Sequence, residues 1–156
     1  MRLRSQKTFL IFFVLSTVCC SDQGVSPEHG WSADHSDIQD PQSRWQAYGI
    51  HDYSMLQSRN CFCPDGGTRY LITVQKDAVT RVINPADGSV LPAGQWARFK
   101  TVVDLFALVK SIDTATVASI QVSYNARYGF PERVFVNPSA NIADEEYGFK
   151  TDLLQP

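Results

Sequence analysis

The tightest constraint on how this chain can fold is a change of hydrophobic period along it. Tyr70, Ile72 and Val74 recur at a spacing of two, and Ile120, Val122 and Tyr124 alternate with Gln121 and Ser123. A period of two puts every second side chain on one side of a strand, so these are half-buried strands. Between them the period changes. Val102, Leu105, Phe106, Val109 and Ile112 fall at helical spacing and make one apolar stripe. Thr101-Val102-Val103-Asp104 precedes the stripe as a capping box, in which hydroxyl and carboxylate each satisfy a free amide. Stripe and strands each need a partner layer, which the other supplies.

The same order occurs twice. A first short helix is expected over Pro41–Tyr48, with Trp45 and Tyr48 on one face, followed by strands at Asp52–Ser58, Tyr70–Gln75 and Ala78–Asn84. After the second helix come strands at Val117–Tyr124, Glu132–Asn137 and Tyr147–Leu153. Turns fall at Pro64-Asp65-Gly66-Gly67, at Asp87-Gly88 and at Arg127-Tyr128-Gly129-Phe130-Pro131. The expected class is α+β: a duplicated helix-plus-three-strand unit with both helices on one face of an antiparallel sheet. Strands and helices do not alternate as a parallel nucleotide-binding sheet requires, and there is no glycine-rich phosphate loop.

Upstream of this domain the sequence reads as an address. Arg2, Arg4 and Lys7 precede a short apolar run, Phe9–Val18, that ends at Cys19-Cys20. The run is about half the roughly 20 residues that cross a bilayer, so it reads as the core of a signal peptide over residues 1–20. Two endings compete. Leu15-Ser16-Thr17-Val18-Cys19-Cys20 resembles a lipobox, which would place a lipid on Cys19 or Cys20. Alternatively, cleavage near Ser21 releases a soluble protein. Residues 21–40 lack apolar spacing and are expected to be a flexible tether, and residues 41–156 form a single domain. The whole chain carries 14 basic and 16 acidic residues. Removing the leader takes three cations and no anions, and an acidic chain without a basic tract argues against nucleic acid.

Three segments resemble one family. They are Cys61-Phe62-Cys63-Pro64, Val103-Asp104-Leu105-Phe106, and Gly129-Phe130-Pro131-Glu132-Arg133-Val134 leading to Asp144-Glu145-Glu146. In order and spacing they are similar to the bacterial secreted and lipoprotein domain-of-unknown-function family 6174, over most of Trp45–Leu153. The chain departs from that pattern at Asn125, where the family favours Asp, at Phe130, which replaces Tyr, and at Lys76-Asp77, which replaces Asp-Gly. The resemblance implies an envelope protein, and it supplies no catalytic residues.

Cys61 and Cys63 are the sharpest chemical candidates. In an oxidising compartment they are expected to form a disulfide. Residues i and i+2 of a flat strand lie about 6.8 Å apart, at the upper limit for a bridge, so the chain must bend there. A structural staple is the leading role, with redox exchange and metal ligation as the alternatives, and pairing with Cys20 is open if Cys20 carries no lipid. His29, His35 and His51 read as solvated loop residues, and Asp144-Glu145-Glu146 as a solvated turn rather than a calcium loop. Most aromatics, Phe62 included, belong to the core, while Trp96, Tyr128 and Phe130 are candidates for an exposed recognition patch. No nucleophile motif or helix-borne metal motif is present. The functional expectation is an exported, lipid-anchored binding module of the cell envelope. It would take another envelope protein as partner and meet the membrane only through its lipid, with no enzyme activity, cofactor or metal. A thiol–disulfide or hydrolytic enzyme is the alternative.

Overall fold

The computed structural model describes residues 29–142 and 144–155. The signal peptide, Cys19, Cys20 and residues 21–28 of the expected tether therefore lie outside the described residues. Six strands form one antiparallel sheet: β1 Tyr53–Asn60, β2 Arg69–Gln75, β3 Ala78–Ile83, β4 Ser119–Tyr124, β5 Pro131–Asn137 and β6 Tyr147–Gln155. Their spatial order is β3-β2-β1-β6-β5-β4. Each half of the chain is a meander, and the halves join where β1 pairs with β6. Among the described residues three α-helices accompany the sheet, α1 His29–Ser32, α2 Pro41–Tyr48 and α3 Val102–Ser111, with a 3-10 turn at Ala93–Arg98.

The helix ends follow from local chemistry. Asp40 caps α2, its Oδ2 accepting from the Ser43 N–H at 2.7 Å, and Pro41 fills the first turn, where its missing N–H costs nothing. Hydrogen bonds from the Ser43 hydroxyl and N–H hold the Asp40 carboxyl below the usual range. Gly49 ends the helix in the left-handed region, φ 59°. The expected capping box opens α3: the Asp104 N–H donates to Thr101 Oγ1 at 3.1 Å, and the Thr101 N–H donates to Asp104 Oδ2 at 3.0 Å.

The strand alternation resolves into one buried face. Tyr53, Met55 and Gln57 on β1, Tyr70, Ile72 and Val74 on β2, Val82 on β3, Val134 and Val136 on β5, and Thr151 on β6 are all buried. Cross-strand register places them on a common side. Trp45 and Tyr48 from α2, and Val102 and Phe106 from α3, join the cluster that contains Met55 and Ile72. The Trp45 ring meets the rings of Tyr53 and Phe130 edge to face, at 5.6 and 6.1 Å between centroids. Leu105, on the same helix as Val102, packs with Val134 and Val136 in a second cluster.

Two buried polar groups fix the approach to α3. Gln57 is fully buried, yet both ends of its amide are used. Nε2 donates to the Lys100 carbonyl at 2.9 Å and to Thr151 Oγ1 at 3.2 Å, while Oε1 accepts from the Lys100 N–H at 2.9 Å. The Tyr53 hydroxyl accepts from the Val102 N–H at 2.8 Å, which satisfies a free amide of the helix start. Burial pushes the Tyr53 phenol well above the usual tyrosine range, so it stays protonated.

Several expectations need correction. Residues 31–40, assigned to a flexible tether, are in contact with the domain. The Trp31 and Tyr128 rings meet edge to face at 5.3 Å, the His35 ring meets Tyr48 at 4.7 Å, and Arg44 Nε donates to the Ile38 carbonyl at 2.7 Å. Two aromatic rings suffice to dock a segment whose apolar residues are too sparse to show a period. The connection 85–98 holds a 3-10 turn that its Pro- and Gly-rich sequence hid. Phe130 is 1% exposed and sits in the core against Trp45, so it is no part of an exposed patch. The turn that bears it is pulled inward by Gly129, whose φ of 82° and closeness to the Pro41 carbonyl admit no side chain. The hairpin at Lys76-Asp77 is a two-residue turn with both φ values positive, 50° and 60°, as a type I′ turn requires.

Candidate functional site

The face of the sheet opposite the core is uncovered among the described residues and carries a groove of about 510 Å³. Glu132 borders it, and Ser58, Ser123, Arg133, Phe135, Lys150 and Asp152 line it. These residues occupy the strand positions that alternate with the core set. Register places them in rows. Ser58 lies opposite Arg69 on one side and Lys150 on the other, Lys150 lies opposite Arg133, and Arg133 lies opposite Ser123. One row across five strands thus reads Arg69, Ser58, Lys150, Arg133, Ser123.

The charges in this row are unequally balanced. Arg69 Nη2 pairs with Asp152 Oδ2 at 2.5 Å. Arg133 and Lys150 make no ion pair among the described residues, although they face each other directly across β5 and β6. Like charges placed opposite each other on adjacent strands work against pairing. Glu132, the nearest acid along β5, borders the same groove and accepts from the Asn125 Nδ2–H at its Oε1, at 2.7 Å.

Asn125 organises the turn at the end of this groove. Its Oδ1 accepts from the N–H groups of Arg127 and Tyr128 at 3.1 and 2.8 Å, and its backbone closes the loop with Phe130 and Gly129. Both ends of the amide are thus used, with its donor end at Glu132. Asn125→Asp would set one carboxylate against another. It is expected to cost about 1–2 kcal/mol at neutral pH. Repulsion raises the folded-state pKa of one acid of that pair, so the loss shrinks as pH falls and a shared proton restores the bond. Urea unfolding of both proteins at about pH 7 and about pH 4.5 checks this. A difference that does not change with pH would contradict it.

A second cluster lies where β1 leads into β2. Cys61 and Cys63 are joined by a disulfide, with alpha carbons 5.3 Å apart. The required bend is a tight turn in which the Cys63 N–H donates to the Cys61 carbonyl at 2.9 Å. Arg59 Nη2 donates to Cys63 Sγ at 3.4 Å and pairs with Asp65, whose other oxygen lies 3.0 Å from Arg98 Nη1. These contacts fasten the bridged loop to the 3-10 turn. Phe62, between the two cysteines, is 84% exposed, contrary to its assignment to the core. Bridging its neighbours on either side leaves the middle side chain pointing outward, a consequence already present in the Cys-x-Cys spacing.

The remaining candidates sit apart from the groove. Trp96 is half-buried, with its indole N–H donating to the Leu91 carbonyl at 2.9 Å. Tyr128 is half-buried between the rings of Trp31 and Tyr48, with the Arg127 guanidinium 5.1 Å from its ring centre. Neither lines the groove. His51 Nδ1 pairs with Asp77 Oδ2 at 2.6 Å. Asp144 and Glu146 border a shallow depression with Phe62 and Cys61. No group of three or more His, Cys, Asp or Glu among the described residues is placed to hold a metal ion. Arg133 and Lys150 were missed because a cation on the solvent side of a strand is ordinary in sequence, and only the register reveals that the two face each other.

No described helix is long and apolar enough to cross a membrane. No curated protein and no solved structure matches the chain. A family model does match, over residues 37–156, which spans the sheet, α2 and α3. By that match the chain belongs to the family of unknown function DUF6174.

Proposed function

We propose that this chain is an exported binding module of the cell envelope, anchored by a lipid on Cys19 or Cys20, which holds its ligand against the open face of the sheet. The observation that carries the reading is the contrast between the two faces. One is packed with apolar side chains, while the other presents a groove lined by two cations without an ion pair among the described residues, by two carboxylates, by hydroxyls and by an aromatic ring. Concave sites with a few placed polar groups on an apolar floor are the usual form of a binding surface. The signal-like leader and the lipobox-like Cys19-Cys20 support the location. In this reading the two halves are also copies of one helix-plus-three-strand unit on a shared sheet, in keeping with the element order.

Site-specific photo-crosslinking in the native envelope tests the contact surface. A photoreactive residue at Gln121, exposed on the open side of β4, is expected to capture a partner that the same residue at Gln46, exposed on α2, does not. Equal capture at both positions, or at neither, would remove the assignment. Mass spectrometry of the processed N-terminus tests the anchor: a diacylglyceryl mass on Cys19 or Cys20 supports it, and a free Ser21 refutes it.

One observation favours a second reading. The Arg59 guanidinium beside Cys63 Sγ would stabilise that sulfur as a thiolate once the bridge is opened, against the opposing charge of Asp65 Oδ1 at 3.6 Å. Thiol–disulfide exchange then becomes the activity, with Cys63 as the sulfur that leaves or attacks. Thiol titration in glutathione buffers decides this, since a bridge inert at the compartment's own potential ends the redox reading.

A further inference from the structure

We infer that the groove on the open face is a site for small organic anions, with the oxyanion seated between Arg133 and Lys150 and the apolar body on Phe135. This rests on the open face being the binding surface and names the ligand class it takes. The argument starts from charge. Arg133 and Lys150 lie directly opposite each other on β5 and β6, without an ionic partner among the described residues. Of the neighbouring acids, Asp152 is paired with Arg69, while Glu132 accepts from the neutral Asn125 amide and keeps its charge at the border of the groove. The protein therefore sets two positive charges directly opposite each other near the centre of its own sheet with no ion pair to either among the described residues, a placement that works against pairing and that one bound anion would offset.

The chemistry around the pair selects an oxyanion. A guanidinium presents a planar fork of donors and an ammonium presents a compact point charge, and together they suit a carboxylate or a phosphate group. Ser58 and Ser123 flank the two cations in the same cross-strand row, which adds a hydroxyl on either side. Phe135 stands two residues beyond Arg133 on the same side of β5 and lines the same groove. An inorganic ion would satisfy the cations and leave this ring bare, whereas an acid with an apolar body uses both. The groove volume, about 510 Å³, suits a molecule of that size.

Amide chemical shifts of the full chain, followed while phenyl phosphate is added, test the inference. Saturable shifts are expected at Ser58, Arg133 and Lys150, and they should weaken as salt is raised. Inorganic phosphate should bind more weakly than phenyl phosphate. The double variant Arg133→Ser with Lys150→Thr should lose about tenfold or more in affinity. It should melt no lower than the parent, because it removes a like-charge pair. Unchanged affinity in a folded double variant, or no saturation by about 10 mM phenyl phosphate, would overturn the inference. Groove shifts produced equally by benzyl alcohol would overturn the anion assignment and leave the open face standing as the binding surface. Shifts confined to other parts of the molecule would remove both.

Discussion

Replacing Gln57 with leucine is expected to cost about 3–5 kcal/mol of folding stability, read as a fall in the urea midpoint. The side-chain volume is nearly kept, so the loss is not one of packing. It comes from the backbone of Lys100, whose N–H and carbonyl both end on the Gln57 amide at 2.9 Å, and from Thr151, whose hydroxyl accepts from the same side chain. With leucine there, the Thr151 hydroxyl in the core and the half-buried Lys100 backbone groups lose their partner, and each such orphan costs about 1–3 kcal/mol. Gln57→Glu separates the two ends of the amide. A carboxylate still accepts from the Lys100 N–H but opposes its carbonyl, so that variant should regain stability in acid, where a protonated acid can donate. A loss below about 1 kcal/mol for the leucine variant would mean that the Lys100 segment finds other partners and that Gln57 does not hold it.

Gly129→Ala is the second large effect, expected at about 3 kcal/mol or more from two separate sources. The backbone there has φ 82°, which any L side chain strains against, and an added Cβ would lie 2.2 Å from the Pro41 carbonyl oxygen. Gly88 separates the two sources. Its φ is 73°, yet nothing lies within 4 Å of an added Cβ, so Gly88→Ala pays the backbone term alone, about 1–2 kcal/mol. Thermal unfolding of both variants reads the difference. If Gly129→Ala melts where Gly88→Ala does, the contact between the β4–β5 turn and the start of α2 is soft, and Gly129 serves backbone conformation only.

Much of the fold was legible in particular residues. Thr101 and Asp104 announced the start of α3 because a capping box is local chemistry that tertiary context seldom overrides. The alternation in β2 and β4 announced strands because one face of each is buried. What escaped was long-range. That β1 pairs with β6, joining the two meanders at their inner strands, has no local signature. The docking of Trp31 and His35 rests on two rings in a polar stretch, and hydrophobic period cannot see an isolated contact. Phe130 was assigned to an exposed turn because its neighbours are turn residues, whereas Gly129 folds that turn back onto α2. In the groove, each residue is unremarkable alone. The opposition of Arg133 and Lys150 exists only through the β5–β6 register, so this site belongs to the sheet rather than to any motif.

The junction of β1 with β6 also governs when the molecule can assemble. Met55 pairs with Leu153 and Asn60 with Gly148, so the middle of the sheet is made from opposite ends of the domain. Closing such distant segments is entropically slow, and neither meander has its inner neighbour until the last strand arrives. A polypeptide emerging amino end first, from a ribosome or through a membrane pore, must wait with an unpaired inner edge until its carboxyl end is free. Closure of the sheet is thereby tied to the arrival of β6, and a chain cut short before Gly148 would keep that edge open to aggregation.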